Sequence, residues 1–324
     1  MKEKIKSYCN SIGIQEIGFV KCRRFDELIS FYNYRKENNL ENKFEESDIE
    51  KRINPKLYMN EGKTIISIAF PYLWNNDYVE NGFSKYTKGY DYHKVVKMHL
   101  DKICNMIIEA GGKAISLVDS NALPERYIAY LAGVGFIGKN NMIITKTHGS
   151  YVFLGEIITD LNLYDDDVRK FDEISKFKEC GECTICYKEC PTKAINEYKK
   201  NPNICTSYIT QKKELTDIEI KLLKDKIFGC DVCQNKCPYN ENISFSKIKE
   251  FKPLEFMENG KYEVYAEINN KAFKEKVLPT SCGWRGKNII KRNAIIRLHN
   301  RGINIEKYKG DSPYLNKYIE ILNK

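Results

Sequence analysis

Eight of the twelve cysteines in this 324-residue chain fall between Cys180 and Cys237. The first four are separated by two, two and three residues, and the last of them precedes Pro191. Two intervening residues turn a chain enough to aim successive thiolates at one centre, so this spacing can wrap three corners of a 4Fe-4S cube. The second half of the block ends in the same way, with a cysteine before Pro238. The block therefore predicts two iron-sulfur clusters.

The two halves together form the run typical of bacterial two-cluster ferredoxins, in which the cysteine before proline ligates the other cluster. Cys205 replaces the missing leading cysteine of the second half. The predicted ligand sets are Cys180, Cys183, Cys186 and Cys237 for one cluster, and Cys190, Cys205, Cys230 and Cys233 for the other. A pair of structural zinc sites is the alternative, but zinc has no use for this triple spacing and would leave the long leading part of the chain without a role.

Three other features carry weaker signals. Asp119 ends a strand-like run in VDSNALPER, a common position for a catalytic carboxylate, although a turn or a helix N-cap is the plainer interpretation. The stretch from Gly133 to Lys139 matches two glycine-rich nucleotide motifs, but a helical pattern precedes it, so we expect the glycines to end that helix. The histidines have no metal-ligand spacing and are expected to be structural; they are His93, His99, His148 and His299.

The elements that must position these residues follow from the hydrophobic periodicity. Four runs have strand length and a β-rich composition: Lys63–Tyr72, Lys113–Asp119, Met142–Thr145 and Tyr151–Thr159. The stretch from Asp91 to Ala110 has helical spacing, and a KTHGS turn with Gly149 is predicted to join the last two strands. The sequence therefore predicts an α+β fold with a mixed sheet.

Three units are predicted along the chain: residues 1–165, 166–242 and 243–324. The first alternates helices and strands, the second is turn-rich and led by cysteines, and the third is mainly helical. The net charge is +9, and residues 271–301 contain nine Lys or Arg against one acid, which favours an anionic partner. No apolar run is long enough to span a membrane, and the start lacks the apolar stretch of a signal peptide, so we expect a cytoplasmic protein.

Several stretches, in this order, resemble epoxyqueuosine reductases: YTKGYDYHK, VDSNALPER, AGVGFIGKNN, GSYVFLGEIITD, CGECTICYKECPTKAI, CTSYITQKK and GCDVCQNKCPYN. The resemblance is close over residues 1–245, and RNAIIRLHNRG resembles the start of that family's C-terminal helical repeats. It implies a cobalamin-binding catalytic domain similar to reductive dehalogenases, a double 4Fe-4S ferredoxin-like domain and a short HEAT-like helical region. It also implies base-off cobalamin, with no protein histidine beneath the cobalt.

The implied activity is reduction of epoxyqueuosine to queuosine at the wobble position of tRNA. The alternative is a related cobalamin and iron-sulfur reductase that acts on a small molecule. Expected partners are tRNA carrying epoxyqueuosine and an external low-potential electron donor, and we expect a monomer without membrane contact. The resemblance assigns Asp119 the protonation of the opening epoxide oxygen, which would require burial to raise its pKa above the reference value of about 3.9.

The resemblance also implies two sets of binding residues. Cofactor contacts are expected at Lys139, Asn140, Asn141, Ser150, Tyr151, Phe153, Leu154, Ser207, Tyr208 and Gln211. Contacts with tRNA phosphates are expected at Arg285, Lys287, Lys291, Arg292, Arg297 and Arg301. The alternative for the second set is a solvated helix face.

Overall fold

The computed structural model describes residues 1–164 and 169–324, and it confirms the α+β fold class. The helices of the leading part are α1 Lys2–Ser11, α2 Ile29–Glu37, α3 Ile49–Ile53, α4 Tyr92–Glu109 and α5 Glu125–Leu131. Those of the cysteine-rich part are α6 Phe171–Ile174, α7 Ile185–Glu189, α8 Thr206–Ile209, α9 Asp217–Leu223 and α10 Val232–Asn235. They are followed by α11 Tyr262–Ala266, α12 Asn270–Ala272, α13 Lys287–Asn300 and α14 Pro313–Leu322. The predicted boundary between residues 165 and 166 lies outside the described residues.

A four-stranded sheet forms the centre of the leading part. The strands of the chain are β1 Ile17–Lys21, β2 Thr64–Pro71, β3 Ala114–Leu117, β4 Phe136–Ile137, β5 Ile143–Ile144 and β6 Val152–Thr159. The sheet has the order β1-β2-β6-β3, and its pairings among the described residues are all antiparallel, so the prediction of a mixed sheet is wrong. Strands β2 and β3, which precede and follow α4, run parallel to each other, but β6 lies between them.

Helices cover both faces of this sheet. Alternate residues of a strand point to opposite faces, and β2 is buried along its whole length. Ile66 and Phe70 belong to the same apolar cluster as α4 residues, whereas Ile65 and Ala69 belong to the cluster that contains α5. A polar side chain on the α5 side of the central strands is therefore enclosed between sheet and helix.

The strand predicted over residues 142–145 has a different partner from the one expected. β5 pairs with β4 in a separate hairpin, because Asn141 adopts a φ of +64° in the tight turn between them. The KTHGS turn is present, with Thr145 bridged to Gly149. The glycine-rich stretch follows α5 and Gly133 has a φ of +77°, which confirms that these glycines end a helix.

The C-terminal part does not form a separate core. Phe83 of the leading part and Phe228 of the cysteine-rich part pack in one apolar cluster with Ile290 of α13. All three predicted units therefore contribute to a common interior. Within the described residues, none of the helices combines the length and the apolar character needed to cross a bilayer.

Candidate active site

The structure brings together the four cysteines of the first predicted ligand set. Cys180 and Cys183 lie in one tight turn, and α7 begins shortly afterwards and carries Cys186. Burial, together with the charges of Cys180, Cys183 and Cys237, raises the pKa of the Cys186 thiol to about 11. Cys237 thus lies beside the other three although it is distant in sequence. Four mutually repelling thiolates stay ionised only with a cationic group between them.

The second predicted set also forms a group. Burial raises the pKa of Cys233, and the charges of Cys230, Cys205 and Cys190 raise it further. Burial also acts on Cys190, but backbone N–H groups that donate to its sulfur outweigh it and lower the pKa. All eight are free thiols, and within the described residues no three metal-ligating side chains converge on a site for a single ion.

The loop that follows β4 holds both thiol groups against the leading part. Lys139 Nζ donates hydrogen bonds to the carbonyl oxygens of Gly181 and Cys183 at 2.7 and 3.1 Å. Asn140 is buried, and its Nδ2 donates to the Cys233 carbonyl oxygen at 3.4 Å. Both side chains thus position the cysteine segments. For the buried Asn140 this replaces the predicted cofactor contact, whereas the cofactor contact of the partly exposed Lys139 stays a prediction.

The start of β6 makes a second connection between the same parts. Ser150 is fully buried, and its Oγ donates to Gln234 Oε1 at 2.9 Å. The Tyr151 hydroxyl donates to Asn235 Oδ1 at 3.2 Å, and Leu154 lies in the apolar cluster beside α5. The predicted cofactor contact is therefore wrong for Ser150, Tyr151 and Leu154, because all three side chains face protein.

Three acid-base side chains meet where α4 begins and β3 ends. Asp91 caps α4 by accepting from the His93 backbone N–H, and its Oδ1 also contacts His93 Nδ1 at 2.8 Å. His93 Nε2 contacts Asp119 Oδ2 at 3.0 Å. Asp119 itself has a left-handed φ of +46°, a strained conformation often found at functional sites. The imidazole joins two carboxylates, which makes His93 a candidate functional residue that the spacing of the histidines did not indicate.

The Asp91–His93–Asp119 triad stores a proton on its histidine. Burial opposes a charge on His93, but hydrogen bonds to Asp119 and Asp91 outweigh it and raise the pKa to about 9. Burial favours protonation of Asp119, but hydrogen bonds from His93 and Tyr92 outweigh it and lower the pKa. The prediction of a raised Asp119 pKa is therefore wrong. At neutral pH the triad holds an imidazolium between two carboxylates.

A second acidic pair lies behind the triad. Glu125 Oε1 accepts from the Asp119 backbone N–H at 2.8 Å and from Asn121 Nδ2 at 2.9 Å. Its carboxyl is also within hydrogen-bond reach of Glu156, which is fully buried in β6 and accepts from Ser67 Oγ at 3.3 Å. Burial raises the pKa of both carboxyls, and the charge of Glu125 raises that of Glu156 further. We infer that the pair shares a proton, because two buried carboxylates in contact repel.

Charged and aromatic side chains link the triad to the thiol groups. The side chains of Asp119 and Arg126 are both accessible to solvent, and the charge of Arg126 acts on Asp119. Burial, with the charge of Arg126, lowers the pKa of Lys200 to about 8, and the first thiol group lies close to this lysine. Tyr86 lies within electrostatic range of both Asp119 and Cys205. The triad therefore lies in the same region of the molecule as both groups of thiols.

Some of the predicted cofactor contacts lie near Arg126 and the triad. The Asn141 carbonyl oxygen accepts a hydrogen bond from Arg126 at 2.6 Å. The Phe153 ring stacks on Tyr92 with 4.2 Å between centroids. The cofactor contacts that stay predictions are those of Lys139, Asn141, Phe153, Ser207, Tyr208 and Gln211.

An outer cleft of about 590 Å³ opens on the other side of the Asp119 loop. Its walls include Phe44, Tyr58 and residues 119–122. Tyr208 packs beneath Phe44, with 5.1 Å between their ring centroids, so it supports one wall of this cleft. The Asp119 loop forms another part of the cleft wall.

The basic C-terminal helix is built largely into the interior. Arg292 is fully buried and donates to the Lys212 and Lys213 carbonyl oxygens at 2.8 and 2.9 Å. Arg297 is 2% exposed and stacks on the Tyr262 ring at 3.7 Å. A guanidinium in the interior cannot reach a phosphate, so the predicted tRNA contact is wrong for Arg292 and Arg297. The predicted tRNA contacts of the partly or fully exposed residues stay predictions; these are Arg285, Lys287, Lys291 and Arg301.

Two family models match parts of this chain. One, described as a 4Fe-4S double cluster binding domain, matches residues 179–240 and so includes both groups of thiols. The other, described as Epoxyqueuosine reductase QueG, DUF1730, matches residues 52–120 and ends just after Asp119. The matched segments thus include the thiols and most of the triad's surroundings.

Similar proteins span nearly the whole chain. A curated epoxyqueuosine reductase of Lactococcus garvieae (strain Lg2) is 34% identical over 311 residues, which are 93% of this chain and 87% of that protein. A crystal structure of selenomethionine-labelled epoxyqueuosine reductase has a TM-score of 0.88 at 32% identity, covering 99% of this chain and 89% of the other. A crystal structure of epoxyqueuosine reductase with an epoxyqueuosine-modified tRNA-Tyr stem loop has a TM-score of 0.85 at 31% identity, covering 100% and 99%.

Proposed function

This chain belongs to the epoxyqueuosine reductase family of oxidoreductases, and we propose that it reduces epoxyqueuosine to queuosine at the wobble position of tRNA. The observation that carries the proposal is that the Asp91–His93–Asp119 triad lies near two groups of four thiols, with Tyr86 in electrostatic range of both Asp119 and Cys205. Removing an epoxide oxygen as water, to leave an alkene, consumes two electrons and two protons. A proton store close to an electron relay meets both needs.

The double-cluster domain provides the electron relay, with two 4Fe-4S clusters. We assign Cys180, Cys183, Cys186 and Cys237 to one cluster, and Cys190, Cys205, Cys230 and Cys233 to the other. In this crossed assignment, the cysteine before each proline ligates the cluster of the other half. It is supported by Cys237, whose pKa is raised by burial and by the charges of Cys180 and Cys183. Electrons would come singly from an external low-potential donor.

We propose cobalamin as the second cofactor, bound between the triad and the thiol groups. Arg126 and Lys200 offer cations to the polar periphery of a corrinoid, and the stacked Phe153 and Tyr92 rings offer an apolar flank. When bound, a corrinoid supplies a low-valent metal nucleophile that can open an epoxide. His93 uses both ring nitrogens on carboxylates, so it is not free to ligate a metal. We propose that the cobalamin would bind in the base-off form, with no ligand from His93.

The triad supplies a proton to the opening oxygen. His93 holds it at Nε2 against Asp119 Oδ2, and the Asp119 side chain is 55% exposed, so its carboxylate can reach a substrate. As the epoxide oxygen gains negative charge it becomes a stronger base than the carboxylate. Asp119 then passes on the proton that His93 stores, while Asp91 stabilises the imidazolium until that moment.

The proposed substrate is tRNA carrying epoxyqueuosine, which would enter by the outer cleft. The alternative, a small-molecule substrate, is not favoured. The relative solved with a modified tRNA stem loop aligns with the whole of this chain, and this chain covers 99% of that one. The parts of that relative are therefore present here.

A single-turnover assay tests the proposal. Anaerobically reduced, corrinoid-loaded protein should convert epoxyqueuosine to queuosine in tRNA, and Asp119→Asn should slow the conversion by about 100-fold or more while its iron content stays intact. Asp101→Asn is a matched control, because Asp101 is an exposed carboxylate paired with Lys97 and lies outside the triad. Fully iron-loaded protein that converts no epoxyqueuosine in tRNA but reduces a small epoxide would establish the alternative.

A further inference from the structure

Two large aromatic side chains lie exposed beside the outer cleft. Phe44 is 46% exposed and Trp284 is 56% exposed. Their rings meet edge to face with 5.5 Å between centroids, and Phe44 itself lines the cleft that contains the Asp119 loop. Single exposed apolar residues are common on protein surfaces, but here two rings form one surface next to the proposed substrate entrance.

Arg285 joins the two rings into an aromatic platform, which we define as Phe44, Trp284 and Arg285. Its guanidinium lies 4.7 Å from the Trp284 ring centroid and 5.4 Å from that of Phe44. Arg285 Nε donates to the Gln211 carbonyl oxygen at 2.6 Å, and Tyr208 packs against Phe44 from the protein side. The platform is therefore held in place by protein contacts while about half of each ring stays accessible.

The charged groups around the cleft are already paired. Glu45 contacts Arg35 at 2.7 Å and Arg52 at 3.3 Å, and Glu46 contacts Lys51 at 3.4 Å. These pairs neutralise the carboxylates that would otherwise repel an anion. A ligand of the platform is therefore selected by its flat, polarisable faces more than by its charge.

We propose that the aromatic platform binds an unpaired nucleobase of the RNA substrate, adjacent to the nucleoside that enters the cleft. Proteins recognise single-stranded RNA loops by stacking splayed bases on aromatic rings and on the planes of arginines. A wobble nucleoside belongs to an unpaired loop, so its neighbours are free to stack. This inference rests on the proposed function and adds a contact outside the reacting nucleoside.

Trp284 can report directly on this contact. The chain has two tryptophans, so Trp74→Phe leaves Trp284 as the single tryptophan fluorophore. Titration of that holoprotein with unmodified anticodon stem-loop RNA should quench the fluorescence. The same RNA with abasic sites on both sides of the wobble position should bind with little quenching. Unchanged fluorescence on binding, or equal quenching by the abasic RNA, would overturn the proposal.

Binding constants give a second, independent measurement. Trp284→Ala should weaken stem-loop binding roughly 10- to 100-fold, the range for one lost base stack, and Trp284→Phe should restore most of the affinity. Tyr198→Ala, which removes an aromatic ring that is 89% exposed and lies outside the cleft, should leave the Kd unchanged. Unaltered iron content and circular dichroism would show that each variant is folded.

The outcomes separate the two proposals. If wild type and Trp284→Ala bind the stem loop with the same Kd, the platform has no role and the proposed function still stands. If iron-loaded wild-type protein binds no stem loop at all, both the RNA substrate and the platform are refuted.

Discussion

The cysteine segment and the Asp119 site are held together in different ways. All eight thiols come from one stretch of chain, residues 180–237, and short turns aim neighbouring cysteines at a common centre. The Asp119 site instead draws Asp91 and His93 from the start of α4, Glu125 from α5 and Glu156 from β6. We therefore expect substitution of one cysteine to abolish turnover. Substitutions in the Asp119 site should instead lower the rate by graded amounts that depend on pH.

The largest effect should follow from breaking the cysteine segment. Cys237→Ser removes one ligand of the proposed first cluster, so we expect loss of about four of eight irons and of all turnover, because electrons no longer reach the reaction site. Iron analysis and electron paramagnetic resonance of the reduced protein measure this. Cys104→Ala, which alters a buried cysteine outside the segment, should keep all its iron.

The crossed assignment makes a sharper statement than iron loss alone. Cys237→Ser and Cys183→Ser should perturb the same paramagnetic signal, and Cys230→Ser should perturb the other. A Cys237→Ser spectrum that matches that of Cys230→Ser would show that the two sets are not crossed.

A smaller and pH-dependent effect should come from the triad. The folded-state pKa of His93, about 9, lies above its ordinary value of 6.5, so the imidazolium is present at neutral pH and is lost as pH rises through 9. The single-turnover rate should accordingly fall by about tenfold per pH unit above that value. His93→Gln has no proton to store, so it should be slower by about 100-fold and should lack this descending limb.

The same shift has a consequence for stability, with a defined sign. A raised histidine pKa stabilises the folded state fully below about pH 6.5, and that contribution disappears as pH rises through about 9.

His299→Gln is the control for the pH dependence of the rate, because it alters a histidine outside the triad and should keep the descending limb of the rate profile. A wild-type rate that is flat from pH 7 to 10 would remove His93 from the proton path.

The smallest effect should come from the buried acidic pair. Glu156→Gln keeps a hydrogen-bond donor toward Glu125 without needing a proton, so the rate at neutral pH should change by less than about threefold. Glu156→Ala leaves Glu125 without that partner and should lower the free energy of unfolding by about 1–3 kcal/mol. Denaturant titration measures the difference. Equal stability of the two variants would mean that the pair shares no proton.

The same contrast explains how much could be predicted from the sequence. The spacing of the cysteines is local, so it predicted which thiols come together, and long apolar runs predicted β2 and β6. The contact of His93 with Asp119 joins α4 to the end of β3, and no spacing rule signals it. Glu156 did leave a signal, because a lone carboxylate interrupts the apolar run of β6.

The basic residues of α13 show a different limit. Arg292 and Lys291 look equivalent in sequence, yet Arg292 is fully buried and bonded to two carbonyl oxygens while Lys291 is partly exposed. Which face of a helix is covered depends on the segments that pack around it. A count of basic residues therefore predicted a charged surface where the chain builds part of its interior.

The position of Cys237 beside Cys180 and Cys183 bears on how the molecule matures. A nascent chain leaves the ribosome from its N-terminus, so with crossed sets neither group of four can be completed before Cys233 has been translated. By then the entire leading sheet has emerged. Metal insertion therefore follows synthesis of the sheet, and a message truncated ahead of that codon would yield a product that cannot assemble either cluster.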